Sequence, residues 1–381
     1  MKNMNMQEEN QLNKFFLERN KQLSLLIENE GFKGYSLYDS NNSVIDFTNF
    51  GHRINFVVNQ VVKRGPSWTR KLLGVRKGIN PKLLGLYLLY SNNPTMIDEC
   101  INIALNNRND DGAWGYNYTW PRGDGSLIKK GLSNVVVTYF VFMGLRRHRD
   151  RISQFEKLEH AVSKFLNNLV LFEEKEEACF SYFPKISNKT LNASLFAAEL
   201  LLSVENTSDN RRLAEKCIEF VINRQNHDGS YPYSENIKTG NLKNQYDFHQ
   251  YYVLASLKRL CAKLELSKYS NSIETGLNYL IDFQLNHGIF YWRYPKKYPV
   301  DIHNQAAAIL ALRSFKTELN DLNVDADGLL NKVVRWNEKH MWDGTKYYYQ
   351  YYPLITIKTN YLRWNQGWML AASSKNHTYS I

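Results

Sequence analysis

At 381 residues the chain exceeds an average single domain and suits one large helical architecture. Its 43% hydrophobic content is enough for a sizeable core, and no apolar run reaches the roughly 20 residues a transmembrane helix needs. The 48 basic against 37 acidic residues, a net charge of +11, point to an anionic partner such as an acidic glycan or a membrane surface. Nucleic acid is not expected, because no Gly-rich phosphate loop or nucleic-acid motif accompanies the charge.

The segment Met1 to Asn20 is polar and lacks the apolar core of a signal peptide, so the cytoplasm is the expected compartment. Helices are predicted at Gln11–Asn29, His52–Lys63 and Lys82–Tyr90, with a basic loop containing Gly65-Pro66 between them. From Phe47 to Ile97 no acidic residue occurs, whereas Arg53, Lys63, Arg64, Arg70, Lys71, Arg76, Lys77 and Lys82 are basic. The stretch 53–82 is therefore expected to touch an anionic membrane peripherally, the alternative being a solvated positive face. Residues 1–95 are expected to form an N-terminal helical segment that packs on, or completes, a ring made by 96–381.

Beyond that segment a weak repeat appears. Glycine followed closely by aromatics recurs at Asp111-Gly112-Ala113-Trp114-Gly115-Tyr116, Asp228-Gly229-Ser230-Tyr231, His287-Gly288-Ile289-Phe290-Tyr291-Trp292 and Asp343-Gly344-Thr345-Lys346-Tyr347, with a glycine-free relative at Cys179-Phe180-Ser181-Tyr182. The spacing leaves room for two helices and two loops per repeat, a helical hairpin. Strongly apolar runs follow the turns, at Asn134–Arg146, Leu191–Val204, Phe248–Leu260, Ile302–Phe315 and Asn360–Ala372. They alternate with more polar runs at Gln154–Val170, Asn210–Arg224, Ser270–Phe283 and Ala326–Lys339. A helix apolar all round is buried, and one with a single apolar stripe lies at the surface. The alternation predicts an all-α fold, an α/α toroid with inner helices inside outer ones.

The starts of the inner helices carry polar residues. Thr190, Asp247, Asp301 and Thr359 are predicted N-caps, and two residues after each stand Asn192, His249, His303 and Tyr361. Asn134 falls near the equivalent place in an earlier repeat, and the spacings from Asn134 to Asn192, His249 and His303 are 58, 57 and 54 residues. In a toroid such positions converge on one funnel. Aromatics make up 14% of the chain, with 25 Tyr and 8 Trp, many beside turns. Trp114, Tyr116, Tyr118, Trp120, Tyr231, Tyr291 and Trp292 are candidates for stacking on sugar rings. Arg122, Arg293 and Asp301 complete the candidate binding set. Cys100, Cys179, Cys217 and Cys261 are widely spaced, form no CxxC pair and read as small core residues. With no HExxH or similar spacing, no metal and no cofactor is expected.

Gln225-Asn226-His227-Asp228-Gly229-Ser230-Tyr231 resembles the Gln-x-x-x-Gly-x-Trp repeat of squalene–hopene-type terpene cyclases and prenyltransferase β-subunits, with Tyr in place of Trp; Gln284 with Gly288 is an imperfect second copy. The resemblance implies the toroid. Terpene chemistry, kept as an alternative, needs an Asp-x-Asp-Asp motif, and the nearest match, Asp325-Ala326-Asp327-Gly328, sits at an outer-helix start. A second resemblance covers roughly residues 75–315. Asp111-Gly112-x-Trp114-Gly115-Tyr116-x-x-x-Trp120, Phe180-Ser181-Tyr182, Asn192-Ala193-Ser194, Asp228-Gly229-Ser230, Asp247-Phe248-His249-x-x-Tyr252 and Tyr298-Pro299-Val300-Asp301-Ile302-His303 look like a bacterial toroid family associated with surface-polysaccharide biosynthesis. The chain departs from it at Gln250-Tyr251, where the family pattern has Thr-Gly, and at Ala113, where it has Cys; both changes are expected to tighten the pocket.

These resemblances imply a glycan or lipid-linked glycan as partner. The inventory is similar to that of α/α-toroid polysaccharide lyases and uronyl epimerases, in which a base removes the proton next to a carboxylate and neighbouring groups neutralise the developing enolate. On that reading His249 and His303 act as base and carboxylate contact, Tyr252 donates a proton, and Asn134 and Asn192 orient the acid. A glycoside hydrolase, with Asp110 or Asp111 working against Asp247 or Asp301, and a non-catalytic glycan-binding or assembly protein are the alternatives.

Overall fold

The computed structural model describes residues 6–45, 47–121, 126–286 and 288–376. Its helices are α1 (Met6–Asn29), α2 (His52–Arg64), α3 (Ser67–Leu72), α4 (Pro81–Tyr90), α5 (Ile97–Asn106), α6 (Val135–Arg147), α7 (Phe155–Asn167), α8 (Leu191–Val204), α9 (Ser208–Ile222), α10 (His249–Leu264), α11 (Ser270–Tyr279), α12 (Ile302–Ser314), α13 (Lys316–Asp321), α14 (Ala326–His340) and α15 (Gly367–Ser373). Helix polarity sorts them into two rings. In α8 every residue from Leu191 to Ser203 is buried, and in α12 every residue from Ile302 to Leu312. In α7 only Phe155, Leu158, Val162, Phe165 and Leu166 are buried, one stripe at helical spacing. The chain is an α/α toroid.

Around the inner ring α4, α6, α8, α10, α12 and α15 each pack on the next, and α15 returns to α4 to close it. Outside them lie α5, α7, α9, α11 and α14, and α1 packs against α15. The tightest step is between α4 and α6, where a Cβ on Gly85 would sit 2.3 Å from the carbonyl oxygen of Phe140. Only glycine permits that approach. All four cysteines are buried and free.

The Gly-aromatic turns join outer to inner helices through one recurring bond. The amide of the turn's aromatic residue donates to a polar side chain at the start of the next inner helix: Trp114 to Thr138, Phe180 to Ser194, Tyr231 to Gln250, Phe290 to Gln305 and, in the wide turn just before the last inner helix, Tyr347 to Gln366, at 2.7–3.2 Å. Gly229, with φ of +87°, shows why the turn needs glycine, since a Cβ there would lie 2.1 Å from the carbonyl oxygen of Thr275. Asp111 and Asp228 accept the amides of Ala113 and Ser230, closing the same turns. Gln250 and Ala113 are thus fold residues lying off the central cavity, and the expectation that they tighten the pocket is corrected.

Short antiparallel pairings sit at the inner helices' N-terminal ends: Trp120–Pro121 with Leu127–Ile128, Lys189–Thr190 with Ser234–Glu235 and then Leu242–Lys243, and Val300–Asp301 with Gln350–Tyr351 and then Thr356–Ile357. The α2–α3 excursion is tied to this face. Arg70 is fully buried on Asp39, with Nε 3.1 Å from Oδ1, and also meets the Tyr361 hydroxyl, which donates to the Lys63 carbonyl at 2.6 Å. Arg70 therefore does not belong to the exposed basic face in which the sequence placed it. Thr359 differs from expectation too. Its hydroxyl donates to the Gly65 carbonyl at 3.0 Å, and a wide turn over Leu362–Gln366, pinned by Asn365 donating to the carbonyls of Thr359 and Tyr347, delays the last inner helix to Gly367. No helix among the described residues is long and apolar enough to cross a membrane.

Candidate active site

The N-terminal ends of the inner helices, the hairpins and the α2 excursion enclose a cavity of about 780 Å³. Asn192, His249 and His303 all line it. The caps explain this placement. Asp247 accepts the His249 amide at 3.1 Å and Asp301 the His303 amide at 3.0 Å, so each helix starts with its histidine in the first turn, facing the axis.

The two histidines differ in environment. His249 Nδ1 lies 2.5 Å from Asp247 Oδ1, and its side chain is partly open to the cavity. The carboxylate holds the proton on Nδ1 of the neutral ring, which leaves the Nε2 lone pair free to accept a proton. His303 is fully enclosed. Its ring stacks on Phe248 with centroids 4.1 Å apart and on Trp368 at 4.6 Å, and Nε2 is 2.5 Å from the Tyr252 hydroxyl, while Nδ1 has no hydrogen-bond partner. Burial, reinforced by Lys82, Arg363 and His249, pushes His303 well below the ordinary histidine range, so it is neutral at pH 7. Burial also raises the Tyr252 hydroxyl well above its ordinary value, keeping it a proton donor. Asp301 is raised by burial although Gln350, the His303 amide and Trp364 all donate to it.

Lys189, Lys238 and Lys243 line the cavity toward its hairpin side, and Lys63, Lys82 and Arg363 also line it, none of them placed here by the sequence; the last three concern the site most. Among the described residues none of those three forms an ion pair with a carboxylate. The Lys82 ammonium lies over Phe140 at 4.3 Å and Trp368 at 5.0 Å, and the Arg363 guanidinium over Trp364 at 5.1 Å and Tyr116 at 5.5 Å. Lys82 is pushed well below the lysine range by burial and by Arg363, and Lys63 falls to about 8, mainly through burial. By contrast Glu235, another lining carboxylate, is paired with Lys189 and Arg224. The site holds unpaired positive charge beside two histidines. Among the described residues no group of three or more His, Cys, Asp or Glu is placed to hold a metal ion.

Of the other residues singled out, Tyr116, Tyr118, Trp120, Trp292, Arg293 and Asp301 line the cavity. Tyr116 stacks on Tyr118 at 5.2 Å, and the Arg293 guanidinium lies 4.9 Å from the Trp292 ring. Four do not reach it. Trp114 is fully buried, with its indole N–H donated to the Ala104 carbonyl at 2.8 Å, and Tyr231 packs away with its hydroxyl on the Ser272 carbonyl at 3.2 Å. Asn134 is a helix cap whose Oδ1 accepts the Val137 amide at 3.0 Å. Tyr291 sits outside the wall against Tyr294 at 5.8 Å. Arg122 lies outside the described residues.

Two rings of helices, with hairpins and a polar funnel at one end, define the α/α-toroid class. No protein-family model and no curated protein sequence matches the chain. Solved structures do. The cellobiose 2-epimerase of Bacillus thermoamylovorans B4167 is 10% identical with a TM-score of 0.58, over 76% of this chain and 84% of that one. The Lin0763 protein of Listeria innocua is 11% identical with a TM-score of 0.58, over 94% and 96%. The GH76 alpha-mannanase BT2949 of Bacteroides thetaiotaomicron is 12% identical with a TM-score of 0.54, over 77% and 84%. At these identities the likeness is one of fold.

Proposed function

We propose that the chain is a carbohydrate-active enzyme that moves a proton next to the carboxylate of a uronyl residue, as an epimerase or a lyase. The observation that carries this reading is the set of unpaired cations, Lys63, Lys82 and Arg363, lining the same cavity as the His249–Asp247 pair and the His303–Tyr252 pair. Cations in a partly dry site hold an anionic substrate and neutralise charge as the enolate develops. His249 Nε2 takes the proton from the carbon bearing the carboxylate. Tyr252, hydrogen-bonded to neutral His303, returns a proton to that carbon from the other face in epimerisation. In elimination it delivers the proton instead to the departing glycosidic oxygen, leaving an unsaturated uronide. Tyr116, Trp120 and Trp292 offer ring faces to neighbouring sugars.

The carbohydrate chemistry named for the cellobiose epimerase and the mannanase that share the fold agrees with a glycan substrate. The motif resemblance to a family associated with surface-polysaccharide biosynthesis favours a glycan or lipid-linked glycan of that kind, and the exposed cations of the stretch 53–82, Arg53, Arg64, Lys71, Arg76 and Lys77, support peripheral contact with an anionic membrane. The test is incubation with uronate-containing oligosaccharides in heavy water. Deuterium next to the carboxylate without cleavage marks an epimerase, and new ultraviolet absorbance from an unsaturated product marks a lyase. Tight uronide binding with neither signal overturns the catalytic reading in favour of a glycan-binding protein.

A further inference from the structure

Helix α2 is turned inside out. The side facing the protein carries two buried asparagines beside one buried valine, Val62: Asn59 donates to the Asn55 carbonyl at 2.8 Å and accepts from Ser40. The side facing solvent is apolar, with Ile54, Phe56, Val57 and Val61 all exposed, Val61 at 62%. The apolar surface continues through Val44, Ile45 and Phe50 before the helix and through Trp68 and Leu72 in α3, Leu72 at 76% exposure. The hairpin tip carrying Leu354, at 99% exposure, and Ile355 adjoins it, because Ile355 shares one groove with Arg64–Ser67 and Lys71. A water-soluble surface helix has the opposite polarity, and a contiguous apolar area of this kind marks an interaction site.

The flanking charge identifies the partner. Arg53, Arg64, Lys71 and Arg76 are exposed around the apolar face, and no acidic residue occurs between Phe47 and Ile97. The groove beside Ile355 adds Lys33, Lys77, Lys346 and Lys358, with Glu30 the acidic residue lining it. Two copies of this face brought together would confront like charges. An anionic bilayer satisfies both features at once, taking apolar side chains into its acyl boundary and cations among its headgroups.

We propose that the outward face of α2, with α3 and the Leu354–Ile355 hairpin tip, inserts into the interface of an anionic lipid membrane. This deepens, and rests on, the peripheral contact read from charge alone, because it adds burial of named apolar side chains. Lys63, on the same helix, lines the cavity, so docking through α2 sets the cavity beside the lipid surface.

Co-sedimentation of the full chain with vesicles of phosphatidylcholine alone, and of phosphatidylcholine mixed with phosphatidylglycerol, tests the proposal. Binding is expected only with the anionic lipid. Val57→Glu with Val61→Glu should abolish it, and Arg53→Ser, Arg64→Ser and Lys71→Ser together should weaken it about 100-fold. Both sets lie on exposed positions, so the melting temperature should hold. Anionic binding that survives Val57→Glu with Val61→Glu overturns insertion while leaving an electrostatic contact. No binding to either vesicle overturns both. A concentration-dependent dimer abolished by the glutamate substitutions reassigns the face to self-association.

Discussion

The Tyr252 hydroxyl and His303 Nε2, 2.5 Å apart, couple α10 to α12 across the wall of the cavity. His303 is neutral in the fold, and its proton affinity is depressed. For such a group the unfolded chain binds more protons between the folded and unfolded pKa values, so its contribution to stability is full above the ordinary histidine value of about 6.5 and is lost as pH falls below it. Thermal melts of the wild type should therefore fall on acidification through that window, and part of the fall should disappear in His303→Gln. His303→Gln and Tyr252→Phe should each reduce turnover about 100-fold, measured as deuterium exchange into uronides.

His249→Ala should likewise reduce turnover by about 100-fold or more with little change in melting temperature, because the ring is partly open to the cavity rather than packed in the core. Asp247→Asn can keep an Oδ1 acceptor for the His249 amide and for Nδ1–H but removes the negative charge that supports the imidazolium formed when Nε2 takes a proton. Turnover should fall while circular dichroism and uronide binding stay near normal, and full turnover in Asp247→Asn would remove the dyad from the mechanism.

Lys63 carries a stability cost that the acidic-ligand reading explains. Its affinity for a proton falls to about 8 through burial, so the stability it contributes is full above the unfolded lysine value and is lost as pH falls through about 8. At pH 7 the enclosed charge costs up to about 3 kcal/mol. Lys63→Met should raise the melting temperature at neutral pH and weaken uronide binding by calorimetry. In the wild type, uronide affinity should drop as pH rises past about 8. Lys63→Arg should flatten that drop.

Trp114 should report on the fold rather than on ligand. Trp114→Ala removes a fully buried indole and leaves the Ala104 carbonyl without its donor, which should cost about 3–5 kcal/mol. Folded protein should keep its affinity for glycans. Trp292→Ala, at the cavity wall, should do the reverse, weakening oligosaccharide binding with little loss of melting temperature.

The double ring was legible because burial writes itself into composition: α8 and α12 are apolar all round, and α7 carries one stripe. The histidine positions were legible because Asp247 and Asp301 are caps with a fixed offset to the first turn. The cations were not. Lys63 and Lys82 come from a segment outside the repeat and read as part of a positive surface, and what marks them, together with Arg363, is the lack of a carboxylate ion-pair partner among the described residues. Trp114 and Tyr231 were misplaced for a related reason. A Gly-aromatic turn puts some rings into the funnel and others between hairpins, and the direction depends on the offset from the turn glycine: Trp114 and Tyr231, two residues on, are buried away from the funnel, and Tyr116 and Trp292, four residues on from Gly112 and Gly288, line it. The polarity of α2 was also hidden, since buried Asn55 and Asn59 need Ser40 and Asn41 to make their place on the inward face acceptable.

Closure of the inner ring rests on α15 meeting α4, with α1 behind α15. The sixth hairpin is therefore assembled from segments more than 300 residues apart, held further by Arg70 and Thr359 reaching across the same join. Five hairpins can fold as they leave the ribosome, each on its predecessor, but the cylinder stays a gapped crescent until the last inner helix has been made. Until that moment the Trp368 side of His303 is open, and the enclosure that keeps this imidazole neutral does not exist. Binding competence should thus appear late and all at once in synthesis, with the seam as the latch.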